Sequence, residues 1–161
     1  MKAETLDPSC PIKDRHILVA VDSSENAKRV VLYVADFLGS LPGFRATLLN
    51  IVAEPSEDYF NTEDERRKWI EAQKSGAAAM LEKYREILIQ SGFAEDKVAV
   101  KIVARQCASV AECILEEQKT LECCTVVIGR RGISRKEEFI FGSTSNKILH
   151  SGKNCAVWVI E

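Results

Sequence analysis

No stretch of the 161-residue chain approaches the roughly 18 apolar residues that a membrane-spanning helix needs. The opening MKAETLDPSCPIKDR lacks the apolar segment of a secretory signal, so the chain is expected to be soluble and cytoplasmic, with no membrane partner. Histidine is scarce: there are only His16 and His150, and neither falls with a serine, cysteine or carboxylate in a recognisable catalytic constellation. Six cysteines are present, Cys10, Cys107, Cys113, Cys123, Cys124 and Cys155, but none are spaced as CxxC and no zinc set appears. They are read as reduced thiols, with Cys124 and Cys155 acting as small apolar residues in or beside strands and redox sensing as the alternative. An excess of charge is also missing. With 22 basic and 24 acidic side chains the net charge is −2, which offers no global attraction to nucleic acid, and any bound anion must be held locally. There is no internal repeat, low-complexity tract or linker to divide the chain, and 46% hydrophobic side chains are enough for a real core. The expectation is one domain over residues 1–161, with residues 1–13 as an N-terminal extension.

What is present is an alternation of two periodicities. Residues 16–22, HILVAVD, are short, branched and ended by a polar cluster, as in a strand buried on both faces. Ser23 to Asn26 then supply candidate N-caps for a helix carrying Val30, Val31, Val34 and Leu38 inward, with Gly39 near its end. A second strand is expected over 46–52. Thr62 to Glu65 form a candidate capping box for a long helix reaching Ser91 and Gly92. Its inward stripe is read as Trp69, Ala72, Gly76, Ala79, Met80, Lys83, Tyr84 and Ile87, with Trp69 and Tyr84 as packing residues. A strand over 97–104, a helix from Ser109 to about Lys119, a strand over 125–129, a helix from Ser143 to His150 and a strand over 155–160 complete the order βαβαβαβαβ. Strands joined by helical crossovers make a doubly wound parallel sheet with helices on both faces, a three-layer α/β/α fold. Ligands of such sheets bind beyond the carboxyl ends of strands at the switch in strand order, which points to Asp22 and Gly129.

After the fourth strand comes the densest signal in the chain, with glycines at 129, 132 and 142 and the last followed by Ser143, Thr144 and a helix. Glycine lets backbone approach a ligand with no Cβ in the way, so Gly129 and Gly132 are candidates to aim N–H groups at phosphate oxygens. Gly142 and Ser143 open a helix whose free N–H groups and dipole favour an anion. The spacing is neither a Walker A loop nor a GxGxxG dinucleotide fingerprint. From the residues alone, Asp22 is either an N-cap or a ligand group, and Arg130 and Arg131 are either phosphate partners or solvated loop charges.

The pattern G-x2-G-x9-G-[S/T], after a strand and at the start of the last helix, resembles the nucleotide motif of the universal stress proteins, in their ATP-binding branch. The first strand ending in Asp22-Ser23-Ser24, the second ending in LLNIV at 48–52, and the final apolar strand agree, and the resemblance covers residues 14 to 161. It implies an adenine nucleotide alpha hydrolase-like, Rossmann-like fold with a five-stranded parallel sheet of order 3-2-1-4-5, and a homodimer. It also implies an ATP site made of Asp22 near the ribose, Ile51 reading adenine through its backbone, and a phosphate loop of Gly129, Arg130, Gly132, Gly142, Ser143 and Thr144. Magnesium would accompany ATP through phosphates and water, and AMP or ADP is an alternative ligand. One departure stands out. Where the family often has a Gly-x-Pro or Gly-x-Ala turn after the third strand, this chain reads Arg105-Gln106-Cys107-Ala108.

The function implied is that of a nucleotide-dependent sensor or adaptor in a stress response. A slow ATPase or nucleotidyl-transfer enzyme is a second reading, against which stands the lack of an evident general base beside the phosphates. A nucleotide-free interaction module is a third, opposed by the complete glycine loop. The last strand, with Val157, Trp158 and Val159, would be an exposed apolar edge in a monomer, and pairing with a second copy would cover it.

Overall fold

The computed structural model describes residues 15–130 and 142–161. Gly132 and Arg131 lie outside the described residues, as do Cys10 and the expected extension at 1–13. In chain order the elements are β1 (Arg15–Ala20), α1 (Glu25–Leu38), β2 (Phe44–Ala53), α2 (Glu63–Ser91), β3 (Val98–Arg105), α3 (Val110–Thr120), β4 (Thr125–Gly129), α4 (Ser143–Ser151) and β5 (Ala156–Ile160). All strand pairs are parallel, and the sheet order is β3-β2-β1-β4-β5.

Alternate residues of each central strand feed opposite layers, as the two-residue period of a strand requires. Ile17 and Val19 of β1 join Leu48 of β2 and Val127 of β4 in a core with Val30, Val34 and Leu38 of α1 and Leu81 and Leu88 of α2. Leu18, Leu49, Val126 and Ile128 face the other way, onto Ile114 and Leu115 of α3 and Ile148 of α4. Helices α1, α2 and α3 start where hydroxyl side chains stop the backbone N–H groups from going unsatisfied. Ser24 accepts from Ala27 N, Thr62 from Glu65 N and Ser109 from Glu112 N, at 3.1 to 3.2 Å. The expected capping box is present with a small shift: Glu65 Oε2 accepts from Asn61 N at 3.1 Å, one residue before the cap.

Two expectations fail here. The inward stripe of α2 is Ala77, Leu81 and Leu88, flanked by half-buried Met80, Tyr84 and Ile87, whereas Ala72, Gly76, Ala79 and Lys83 are exposed. At 29 residues the helix is about 43 Å long, more than the sheet can cover, so the packed seam is confined to its second half. Trp69, in the first half, packs instead on Phe60 with ring centroids 5.7 Å apart. The second failure is the cysteine reading: Cys107 and Cys113 form a disulfide. Cys123, Cys124 and Cys155 are free thiols, and burial pushes Cys123 up to about 12. Burial also raises Cys155, so both remain protonated near neutral pH.

His16 is structural. Its Nδ1 donates to Leu121 O at 3.1 Å, which leaves Nε2 to accept from the Thr47 hydroxyl at 2.8 Å, a neutral tautomer spanning β1, β2 and the end of α3. Burial, with the Arg45 charge adding, lowers its pKa below the ordinary 6.5. The unfolded chain therefore binds the proton first, so this contribution to stability is complete above pH 6.5 and is lost as pH falls through the lower native value. Urea midpoints are expected to drop as pH is lowered from 6.5, and a His16→Asn variant should lack that component. A midpoint that rises on acidification, or an unchanged slope in the variant, would contradict the assignment.

Candidate functional site

The order β3-β2-β1-β4-β5 reverses between β1 and β4, and there the carboxyl ends of the strands part to leave a cleft. Its volume is about 280 Å³, near the lower end of small-molecule sites. On the β2 and α3 side the walls are apolar, made by Leu49, Ile51, Val110 and Ile114. On the β4 and α4 side they are polar, made by Gly129, Arg130, Gly142, Ser143 and Thr144. Asp22 and Ser24, after β1, lie between the two.

Asp22 is held by its local turn. Val21 N donates to Leu49 O at 2.9 Å and Asn50 Nδ2 to Val21 O at 2.9 Å, so β2 fixes the exit from β1. Asp22 Oδ1 accepts from Ser24 N at 2.9 Å, an Asx turn that sets the carboxylate at the rim. Ser24, not Asp22, caps α1, which settles the N-cap alternative. Burial, with the charges of Asp22 and Glu25 adding, raises the pKa of the Tyr84 phenol on α2, and Tyr84 stays a neutral packing residue against the first core.

The polar wall is pinned at its base. Arg130 O accepts from Gly142 N at 2.9 Å and from the Ser145 hydroxyl at 2.9 Å, tying together the two ends of the segment that carries Gly132. Ser145 is 2% exposed, and sequence reading missed it because a buried serine one turn into a helix has no composition signal. Gly142 caps α4 with extended backbone and no side-chain hydrogen bond, unlike Ser24, Thr62 and Ser109 at the other helices. The first N–H groups of α4, at the cleft, are thus left without a capping side chain, the arrangement that accepts an anion.

Seven sequence-predicted residues, Asp22, Ile51, Gly129, Arg130, Gly142, Ser143 and Thr144, line this one cleft. Gly132 lies outside the described residues. The Arg130 guanidinium pairs with the Glu161 carboxylate, and the Arg130 N–H donates to Ile160 O at 2.7 Å, joining the loop to the end of β5. The α3 wall, Val110 and Ile114, was not among the site residues expected from the sequence. Among the described residues, no group of three or more histidine, cysteine or carboxylate side chains is placed to hold a metal ion, and no helix is long and apolar enough to cross a membrane.

No curated protein matches the sequence. Among solved structures, universal stress protein UspA from Lactobacillus plantarum superposes with a TM-score of 0.73 at 18% identity, covering 92% of this chain and 99% of that one. The universal stress protein from Archaeoglobus fulgidus in complex with dAMP gives a TM-score of 0.61 at 23% identity, with 90% and 96% coverage. A universal stress protein in complex with cAMP gives 0.66 at 12% identity, with 92% and 98% coverage. At these identities the likeness is one of fold. The sequence itself carries the assignment, because the profile of the universal stress protein family matches residues 14–161. The chain belongs to the universal stress protein family.

Proposed function

We propose that the chain binds an adenine nucleotide, ATP foremost, in the β1/β4 cleft and acts as a nucleotide-dependent sensor or adaptor in the stress response. The observation that carries the reading is the meeting of an apolar wall, a carboxylate and an uncapped helix start in one cleft. Ile51, Val110 and Ile114 suit a flat apolar base. The Asp22 carboxylate is a strong acceptor for ribose hydroxyls, and Gly129, Gly142, Ser143 and Thr144 suit phosphates, with Gly132 expected to join them. Solved relatives in complex with dAMP and with cAMP support an adenine ligand. Magnesium would arrive with the triphosphate, held by its phosphates and water. The test is mass spectrometry of nucleotide released from purified, denatured protein, followed by calorimetric titration with ATP, ADP and AMP. Failure of all three to bind would overturn the reading, and ADP accumulating with time would move it toward an ATPase.

We also infer a homodimer through β5. It is the outermost strand on its side of the sheet, and beside it lie exposed aromatic faces. Phe37 is 55% exposed, stacks on Tyr33 at 5.7 Å and meets Trp158 edge-on at 5.9 Å. A second copy of the strand would cover this apolar edge by a two-fold contact. Val157→Asp and the surface variant Phe37→Glu are expected to shift the sedimenting mass from dimer toward monomer, with circular dichroism unchanged. A mass that does not move in either variant would sink the interface.

A further inference from the structure

β3 ends at Arg105, and residues 106–109 carry the chain to α3. This is the connection whose sequence departs from the family's glycine turn. Cys107 within it is bonded to Cys113 of α3 across six positions of sequence. Cys113 is buried, whereas Cys107 is half-exposed. The bond spans the first turn of α3: Ser109, its cap, and Val110 lie inside the bridged loop, and Ile114 directly follows Cys113. Val110 and Ile114 are the α3 wall of the cleft, so the bond fastens the connection to the turn of helix that forms that wall. Arg105 Nε lies 3.2 Å from Cys113 Sγ, and the same guanidinium pairs with Glu116.

We propose that the Cys107–Cys113 pair is a redox latch on the nucleotide cleft: bonded, it holds the α3 wall in place for the base and sugar, and reduced, it releases residues 106–109 and weakens nucleotide binding. The inference rests on the nucleotide reading of the cleft. The reductant is a dithiol. Its thiolate bonds to Cys107 Sγ, the accessible sulfur, while the disulfide breaks and Cys113 leaves as a thiolate beside the Arg105 guanidinium, which stabilises it. The second thiol of the reductant then attacks the mixed disulfide, closing the reductant's own disulfide and releasing Cys107. Two electrons pass to the cysteine pair, and the two protons given up by the reductant end on Cys107 and Cys113. A disulfide oxidant reverses the exchange. A wall already fixed spares the ligand the cost of ordering it, and losing that preorganisation is worth about five-fold in affinity.

The full chain, oxidised and with the bond identified by non-reducing peptide mapping, should bind ATP about five-fold more tightly than the same protein reduced with dithiothreitol. Cys107→Ser leaves the buried Cys113 in place and should bind with the weaker affinity under both conditions, which separates this pair from Cys123, Cys124 and Cys155. Hydrogen exchange without nucleotide should show the amides of 106–111 less protected after reduction in the parent and no change in the variant. Equal affinity of oxidised and reduced parent overturns the latch and leaves the nucleotide reading standing. Absence of binding in both states overturns the nucleotide reading and the latch with it. A Cys107→Ser variant that keeps the redox dependence also overturns the assignment.

Discussion

Gly142→Val is expected to cut ATP affinity about 100-fold, or about 2.7 kcal/mol, while leaving the fold in place. Gly142 sits at φ −64° and ψ 156°, extended backbone that valine adopts readily, so the substitution brings no torsional strain. Its N–H bond to Arg130 O is a backbone contact and survives any side chain. What valine adds is bulk at the start of α4, where N–H groups without a capping side chain face the cleft. A phosphate held there takes charge-assisted hydrogen bonds worth about 1.5–3 kcal/mol each, and pushing the anion away by one branched side chain forfeits at least one of them. Calorimetric titration measures the loss, and thermal unfolding close to the parent's shows that the fold is kept. Gly132→Val is expected to behave alike on the strength of the glycine spacing. Parental affinity in both variants would refute the phosphate-loop assignment.

The sheet could be read from the sequence because its strands are buried on both faces, and a run such as HILVAV has few other structures open to it. Strand order came from the family resemblance, and the pairing of β1 with both β2 and β4 agrees with it. Helix α2 was placed correctly at both ends, since Thr62 and Gly92 are strong local signals, yet its inward face was misread. The run SGAAAM at 75–80 puts small residues on every face, so periodicity cannot choose among them, and only contact with the sheet selects Ala77. For the cleft, the glycines and Asp22 are legible because backbone approach and strand-end position leave a mark in sequence. The Arg130 pairing with Glu161 and the bond from Cys107 to Cys113 are not. Each depends on which chain segments the fold brings together, and a separation of six residues between cysteines, unlike CxxC, has no fixed chemistry attached.

Gly39 and Gly92 were both read as helix stops, and the reason for them is sharper than that. Gly92 has φ +121°, a conformation that side-chain-bearing residues rarely adopt. A Cβ there would also stand 2.2 Å from Gly39 O, a backbone atom that cannot rotate away. Gly39 has ordinary helical torsions, so close approach alone accounts for it: its Cβ would lie 2.4 Å from Ser91 O. The C-terminal ends of α1 and α2 thus abut backbone to backbone, which lets Leu38 and Leu88 reach the same buried core. Gly92→Ala adds torsional strain to a clash that only separation of the two helices can relieve, and is expected to destabilise the fold by about 2–4 kcal/mol. For a chain of this size that lowers Tm by roughly 5–15 °C. Gly39→Ala should cost less, since it carries the clash without the torsional strain. Gly76, on the exposed part of α2 with open space around it, is the control, and Gly76→Ala should leave stability equal or raised by up to about 1 kcal/mol. Thermal unfolding of the three variants separates the two causes: if Gly92→Ala and Gly76→Ala melt together, the close approach of α1 and α2 is not what holds Gly92 in place.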